Sequence, residues 1–162
     1  MKKHLLSLLT ALIFTLPSVV FSQHLTSPET SSKVEGTWLT QKEEKNAKIE
    51  IKRCVNNAEL YCGKIVWLQT PNYEDGTPKV DRNNPSLALT DRPLLGLELL
   101  SNFSQSDETT WEDGTIYNPE DGETYNCTIT FIQEDGVDKL NVRGYVGFSL
   151  FGKTQTWVRS SQ

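Results

Sequence analysis

The chain carries two histidines, His4 and His24, and three cysteines, Cys54, Cys62 and Cys127. A Ser-His-Asp triad, a Cys-His pair or a His-based zinc site needs an imidazole fixed inside a folded domain. His24 instead lies in QHLTSPETSSK, residues 23–33, whose polar composition reads as a flexible lead-in. Paired carboxylates occur at Glu112–Asp113 and Glu120–Asp121. Each pair precedes a glycine in a turn signal, where a solvated role is expected in place of acid–base chemistry. DRNNP (81–85) and NPEDGE (118–123) lack the Asp-x-Asn-x-Asn-Gly order and the distant Glu of a calcium loop. The sequence thus nominates no catalytic residue, no metal site and no cofactor, and a carboxylate- or Tyr/Arg-based activity stays open.

The cysteines offer a structural reading. A redox couple prefers Cys-x-x-Cys spacing and a lowered thiol pKa, and Cys54 and Cys62 show neither feature. They read as a disulfide across a hairpin whose turn holds NNAE, with both side chains on the outer face. Cys127 falls on the apolar face of Thr124–Ile132 and is expected to be a buried, inert thiol.

The residues best suited to hold a small molecule lie near the end of the chain, in RGYVGFSLFGKTQTWVR, residues 143–159. Period-two alternation puts Gln155, Trp157 and Arg159 on one face, inward if Trp157 is inward. Arg143 and Tyr145 share a face as well. Either they point inward, or the opposite register buries Leu140 and Val142, and the sequence leaves this open. Alternation in YCGKIVWL (61–68) places Trp67 inward with Tyr61, Gly63 and Ile65. Trp67, Arg143, Tyr145, Gln155 and Trp157 are therefore the expected wall of a polar or amphipathic binding pocket.

Such a wall requires strands, and the sequence supplies their signals. Asp-Gly occurs at 75–76, 113–114, 121–122 and 135–136, a turn signature that points to antiparallel hairpins. AKIEIKRC (47–54) alternates with Ala47, Ile49 and Ile51 on the inner face. The segment from Leu68 to Gly96 breaks the pattern, with four of the seven prolines, and reads as one long irregular loop. Its leucines, Leu87, Leu89 and Leu94, with Leu95 and with Leu97 just beyond, are expected either to cover the barrel floor or to face a protein partner. Short strands without a long helix indicate an all-β sandwich or closed barrel.

The first 22 residues have the Lys2–Lys3 start, the apolar run Leu5–Leu16 and the small residues of a secretory leader. An apolar run of roughly a dozen residues is too short to span a bilayer. The expected organisation is a signal peptide over 1–22, a lead-in over 23–33 and one domain over 34–160, exported to the periplasm or beyond. Loss of the two leader lysines would take the net charge from −5 to −7. That sign disfavours nucleic acid as a partner, and no transmembrane span is expected after leader removal.

GTWL (36–39), CGKIVWL (62–68), DRNNP (81–85), RPLLGLELL (92–100), GTIYNPEDGETY (114–125) and VRGYVGFSLFGKTQTWVR (142–159) together resemble the bacterial domain-of-unknown-function family 2147. The resemblance implies a small antiparallel lipocalin-like (calycin-type) β-barrel with one long loop. It also implies that Gly36 and Trp38 on the first strand meet Arg159 on the last, forming a structural clamp at one barrel end. Two functions follow as expectations: non-catalytic binding of a small polar or amphipathic ligand at the barrel mouth, or an envelope protein-interaction module that uses the 68–96 loop and has a filled barrel.

Overall fold

The computed structural model describes residues 31–147 and 150–160. The expected leader and residues 23–30 of the lead-in lie outside them. Eight strands close into a barrel in chain order: β1 (Gly36–Thr40), β2 (Ala47–Arg53), β3 (Tyr61–Leu68), β4 (Glu98–Gln105), β5 (Thr110–Asn118), β6 (Glu123–Glu134), β7 (Val137–Tyr145) and β8 (Gly152–Arg159). Every neighbouring pair is antiparallel, including the seam between β1 and β8. Closure leaves no edge strand to template aggregation.

Alternation drives the inward faces. Ile49, Ile51, Ile65, Ile129, Leu140 and Val142 are all at most 4% exposed, each contributing ~1.5–3 kcal/mol by leaving water. The outer faces carry Lys48, Glu50, Lys64 and Thr128, the inverse of a lipid-facing barrel wall. No helix among the described residues is long and apolar enough to cross a membrane.

Four breaks in register, two of them in the β3–β4 pairing, interrupt strict alternation and curve the wall. Opposite Lys48 and Ile49 the partner jumps from Trp67 to Ile65, so Val66 is an extra residue in β3. In β4, Asn102 has φ 62° and the pairing slips between Gly63 and Tyr61, which lets both Leu100 and Phe103 point inward. In β5, Asp113 has φ 59° where the pairing slips between Trp111 and Gly114.

This last site revises the turn reading. Asp121-Gly122 and Asp135-Gly136 do close hairpins, and Asp135 and Gly136 both have the positive φ (52° and 75°) that a tight two-residue turn needs. Asp75-Gly76 turns within the long loop between the bridged residues Asn72 and Pro78. Asp113-Gly114 is a bulge inside a strand, and a Cβ on Gly114 would collide with the Phe103 ring.

The strand directions define two ends. At one end lie residues 31–35, the β2–β3, β4–β5 and β6–β7 turns, and Ser160. At the other lie four connections: β1–β2, the long β3–β4 loop, β5–β6 and β7–β8.

Candidate functional site

The first end is closed by Trp38. Its ring is fully buried, its indole Nε1 donates to the Val34 carbonyl at 2.8 Å, and Phe131 meets it edge-on with centroids 6.5 Å apart. The Arg159 guanidinium lies 4.2 Å from the Trp38 ring centroid. Its Nε donates to Asp138 Oδ2 at 2.8 Å, and its other nitrogens donate to the carbonyls of Glu35 (3.0 Å) and Lys33 (2.7 Å). The guanidinium thus keeps hydrogen bonds while covering an aromatic face. Gly36 has φ +124°, a backbone conformation that favours glycine, and a Cβ there would stand 2.8 Å from the Arg159 guanidinium.

Cys54 and Cys62 form a disulfide at this same end, with S–S 2.05 Å. Cys62 faces outward, whereas Cys54, expected outside, is only 7% exposed because it leaves β2 and packs under the β2–β3 turn. Cys127 is a buried free thiol, and burial pushes its pKa up to about 12.

The second end is open. A cavity of about 800 Å³ descends from the mouth into the barrel. Its floor is apolar, made by Ile49, Ile65, Leu99, Ile116, Val142 and Trp157. Its upper wall is polar and mostly basic, with Lys42, Lys45, Lys79, Arg82 and Lys153 against Glu120 and Asp121. Below the floor the barrel is filled by Leu100, Phe103 and Trp111, with Gly63 making room for Leu100 and Gly114 for Phe103.

Strand β8 gives this cavity one polar stripe. Val142 and Gly144 face inward on β7, and Gly144 opposes Lys153. Lys153, Gln155, Trp157 and Arg159 therefore share the inward parity from mouth to closed end. Gln155 Oε1 accepts from the Trp157 indole at 3.4 Å, which leaves the Gln155 amide nitrogen as a donor at the wall.

Two residues expected in the wall lie outside it. Trp67 is 41% exposed on the outer face, because the extra residue Val66 inverts the parity of β3 and turns Leu68 inward in its place. Arg143 also faces outward, since the register that buries Leu140 and Val142 is the one adopted. Its guanidinium donates to Thr154 Oγ1 (3.2 Å) and the Gly152 carbonyl (3.4 Å). Tyr145 shares that outward parity and borders the mouth at the end of β7, while Gln155 and Trp157 line the cavity.

The sequence also hid a network. Asp81 in the long loop is fully buried. Its Oδ2 accepts from Arg92 Nε (2.8 Å) and Asn84 Nδ2 (2.8 Å), and its Oδ1 accepts from the Tyr117 hydroxyl of β5 (2.7 Å). Burial, then the hydrogen bond to Asp81, raises the Tyr117 pKa. Asn83 Nδ2 donates to the carbonyls of Pro119 (3.2 Å) and Glu120 (3.0 Å). Gly122, at φ +77°, lets the loop approach, since a Cβ there would collide with the Asn83 carbonyl. DRNNP and NPEDGE are thus two halves of one joint, and the turn-forming residues in both were the only sequence signal for it.

A second tie crosses the opening. Lys42 and Lys45 of the β1–β2 connection reach Glu120 in the β5–β6 turn at 3.3 and 3.6 Å. Burial raises the Glu120 pKa, but the two ammonium groups outweigh it and bring the carboxyl below its ordinary value. In an eight-stranded barrel these connections are diametrically opposed, so the pair straps the mouth.

Residues 36–159 match the family described as "Uncharacterized protein conserved in bacteria (DUF2147)". The chain belongs to this family. In this DUF2147 chain the matched residues run through all eight strands, from Gly36 to Arg159. Among solved structures, this DUF2147 chain is similar to one titled "Protein HP1028 from the human pathogen Helicobacter pylori belongs to the lipocalin family". The TM-score is 0.66 at 24% identity, over 81% of this chain and 85% of that one. The likeness establishes a lipocalin-like barrel and nothing about the ligand. A comparison with curated proteins returned no match.

Proposed function

We propose that this protein is exported and binds a small amphipathic ligand, without catalysis, in the cavity at the barrel mouth. One observation carries the reading: the lower barrel is packed solid, whereas the mouth half keeps an open space of about 800 Å³ with an apolar floor and a polar rim. A pocket of that size and character suits a molecule with one greasy and one polar end. In this reading Trp157 supplies an aromatic surface at the floor, Gln155 a hydrogen-bond donor, and Tyr145 borders the entrance.

Native mass spectrometry of protein taken gently from its producing cells tests it. A discrete added mass that is lost on Gln155→Leu, with near-ultraviolet circular dichroism unchanged, is expected. A bare mass in every preparation, together with no displacement of a fluorescent fatty-acid probe, would refute it.

Leu87 and Leu95 of the long loop, 88% and 54% exposed, favour the partner-surface reading as a second role for that loop. The filled barrel that accompanied that alternative does not describe the mouth half. Leu94 and Leu97, by contrast, pack onto the core. Substituting Leu87 and Leu95 by alanine separates the roles: lost partner capture with unchanged stability supports a partner surface.

A further inference from the structure

The long β3–β4 loop sorts its charges. Residues 69–97 carry four acids, Glu74, Asp75, Asp81 and Asp91, and three cations, Lys79, Arg82 and Arg92. Only two of these line the cavity, and both are cations, Lys79 and Arg82. Asp81 and Arg92 turn into the joint with Tyr117, and Asp75 accepts from the Thr77 amide (2.9 Å) and hydroxyl (2.6 Å). A segment that is acidic in sum thus presents a basic face to the space it borders.

Arg82 is fixed in place but not satisfied. Its guanidinium stacks on the Tyr73 ring, 3.8 Å from the centroid. That ring is itself held, because the Tyr73 hydroxyl donates to the Val80 carbonyl (3.3 Å) and accepts from the Val80 amide (3.2 Å). The backbone beside it is pinned as well: the Leu94 amide donates to the Lys79 carbonyl at 3.0 Å, and the Asp81 amide to the Arg92 carbonyl at 2.9 Å. Yet among the described residues no oxygen accepts a hydrogen bond from the Arg82 guanidinium and no carboxylate forms an ion pair with it. Asp75 is made more acidic first by its Thr77 hydrogen bonds and only to a lesser degree by Arg82. Stacking leaves the edge of the guanidinium, with its N–H donors, to face an anion.

Lys79 adds a second charge on the same wall, its ammonium donating to Thr70 Oγ1 at 2.8 Å. The remaining charges of the rim are placed differently. Lys42 and Lys45 are neutralised by Glu120, and Asp121 accepts from Asn118, Tyr125 and the Glu123 amide. Lys153 stands on β8, on the far side of the barrel from the loop.

We propose that the polar end of the amphiphile is an anionic oxygen group, a carboxylate or a phosphate monoester, seated on the edge of the Arg82 guanidinium with Lys79 as the second charge. The apolar tail then runs to the floor at Ile65 and Trp157. A planar fork meets two oxygens of such a group at once, which a hydroxyl cannot offer. The inference rests on the cavity reading and adds to it the chemistry of the headgroup and the loop that reads it.

The test is displacement of N-phenylnaphthylamine, an uncharged fluorescent probe, from the purified protein by decanoate, decyl phosphate and decanol. At least one anionic chain should displace the probe at a concentration about tenfold below that of decanol, and the stronger of the two names the headgroup as carboxylate or phosphate. Arg82→Gln should erase that ratio, Arg82→Lys should restore part of it, and raised salt should narrow it. Lys153→Gln should leave it within about twofold. The ratio is the readout because a merely structural loss of the Tyr73 stack would weaken all three chains alike. Equal displacement by the three chains, with the probe bound, overturns the headgroup assignment and leaves the cavity reading intact. So does a preference that survives Arg82→Gln, or one that vanishes with Lys153→Gln instead. A probe that never binds, with all three chains inert, removes the cavity reading and this inference with it.

Discussion

The two ends of this barrel solve opposite problems with the same kinds of residue. At the closed end an arginine, a tryptophan and backbone carbonyls fit together, and a Cβ on Gly36 would press on the guanidinium. At the mouth, lysines, tyrosines and a tryptophan surround an open space and are tied mainly across its rim. Polar residues inside a barrel are therefore no sign of a binding site by themselves. What distinguishes the ends is whether the polar groups find their partners within the protein and leave no room.

This contrast can be broken by removing what fills the closed end. Trp38→Ala should cost about 4 kcal/mol, the range for deleting a large buried aromatic, read as a lowered urea midpoint. An effect below about 1 kcal/mol, small for a core deletion, would mean that the end is held by its hydrogen bonds alone. The joint under the long loop is the sharper case, since it lies at the mouth yet is built like the closed end. Asp81→Ala leaves Arg92, Asn84 and the Tyr117 hydroxyl without their acceptor and should cost about 3 kcal/mol. Partial exposure of Arg92 keeps the figure at the lower end for a broken buried pair. Faster amide exchange confined to the 70–97 loop would show that the loop folds as a unit separable from the barrel.

Replacing both Cys54 and Cys62 by serine should lower stability by about 2 kcal/mol, chiefly by freeing the unfolded chain across a short loop. Reducing agent should shift the melting temperature of wild type and leave that of the double variant unchanged. The smallest effect belongs to the strap. Glu120→Gln removes partly exposed ion pairs and should change stability by less than about 0.5 kcal/mol, while speeding entry of a fluorescent amphiphile. The folded pKa of Glu120 is below its ordinary 4.5, so the strap's contribution is full above that value and fades as pH falls through the folded pKa. The entry rate of wild type should rise over that acidic window, and that of the glutamine variant should not.

Much of this architecture was legible because alternation is a local signal. Ile49 and Ile51, or Cys127 and Ile129, announce their face within a few residues, and the hairpin carrying Cys54 and Cys62 is short enough for its pairing to be read directly. Bulges defeat the same logic. One extra residue at Val66 sends Trp67 to solvent, and nothing in KIVWL marks which residue will be the extra one. Arg143 was ambiguous for another reason: both faces of β7 contain credible inward residues, and the choice is made by pairing with β6 and β8. The joint of Asp81 with Tyr117 spans 36 positions, and its turn-forming residues explained themselves locally, so nothing pointed to a partner.

The seam between β1 and β8 has a kinetic consequence. It aligns only three residue pairs, Trp38 with Arg159, Leu39 with Val158 and Thr40 with Trp157, whereas β6 and β7 align nine. Every other ladder joins strands adjacent in sequence, and all but β3–β4, whose strands are linked by the long loop, can grow from a short turn. The seam must bring together segments such as Glu35 and Arg159, 124 residues apart, so the entropy of closing that long loop falls on a ladder of three pairs. The barrel should therefore zip as a curling ribbon and shut last, with Arg159 acting as the catch. Until that residue is seated, the chain is an open sheet with two bare edges.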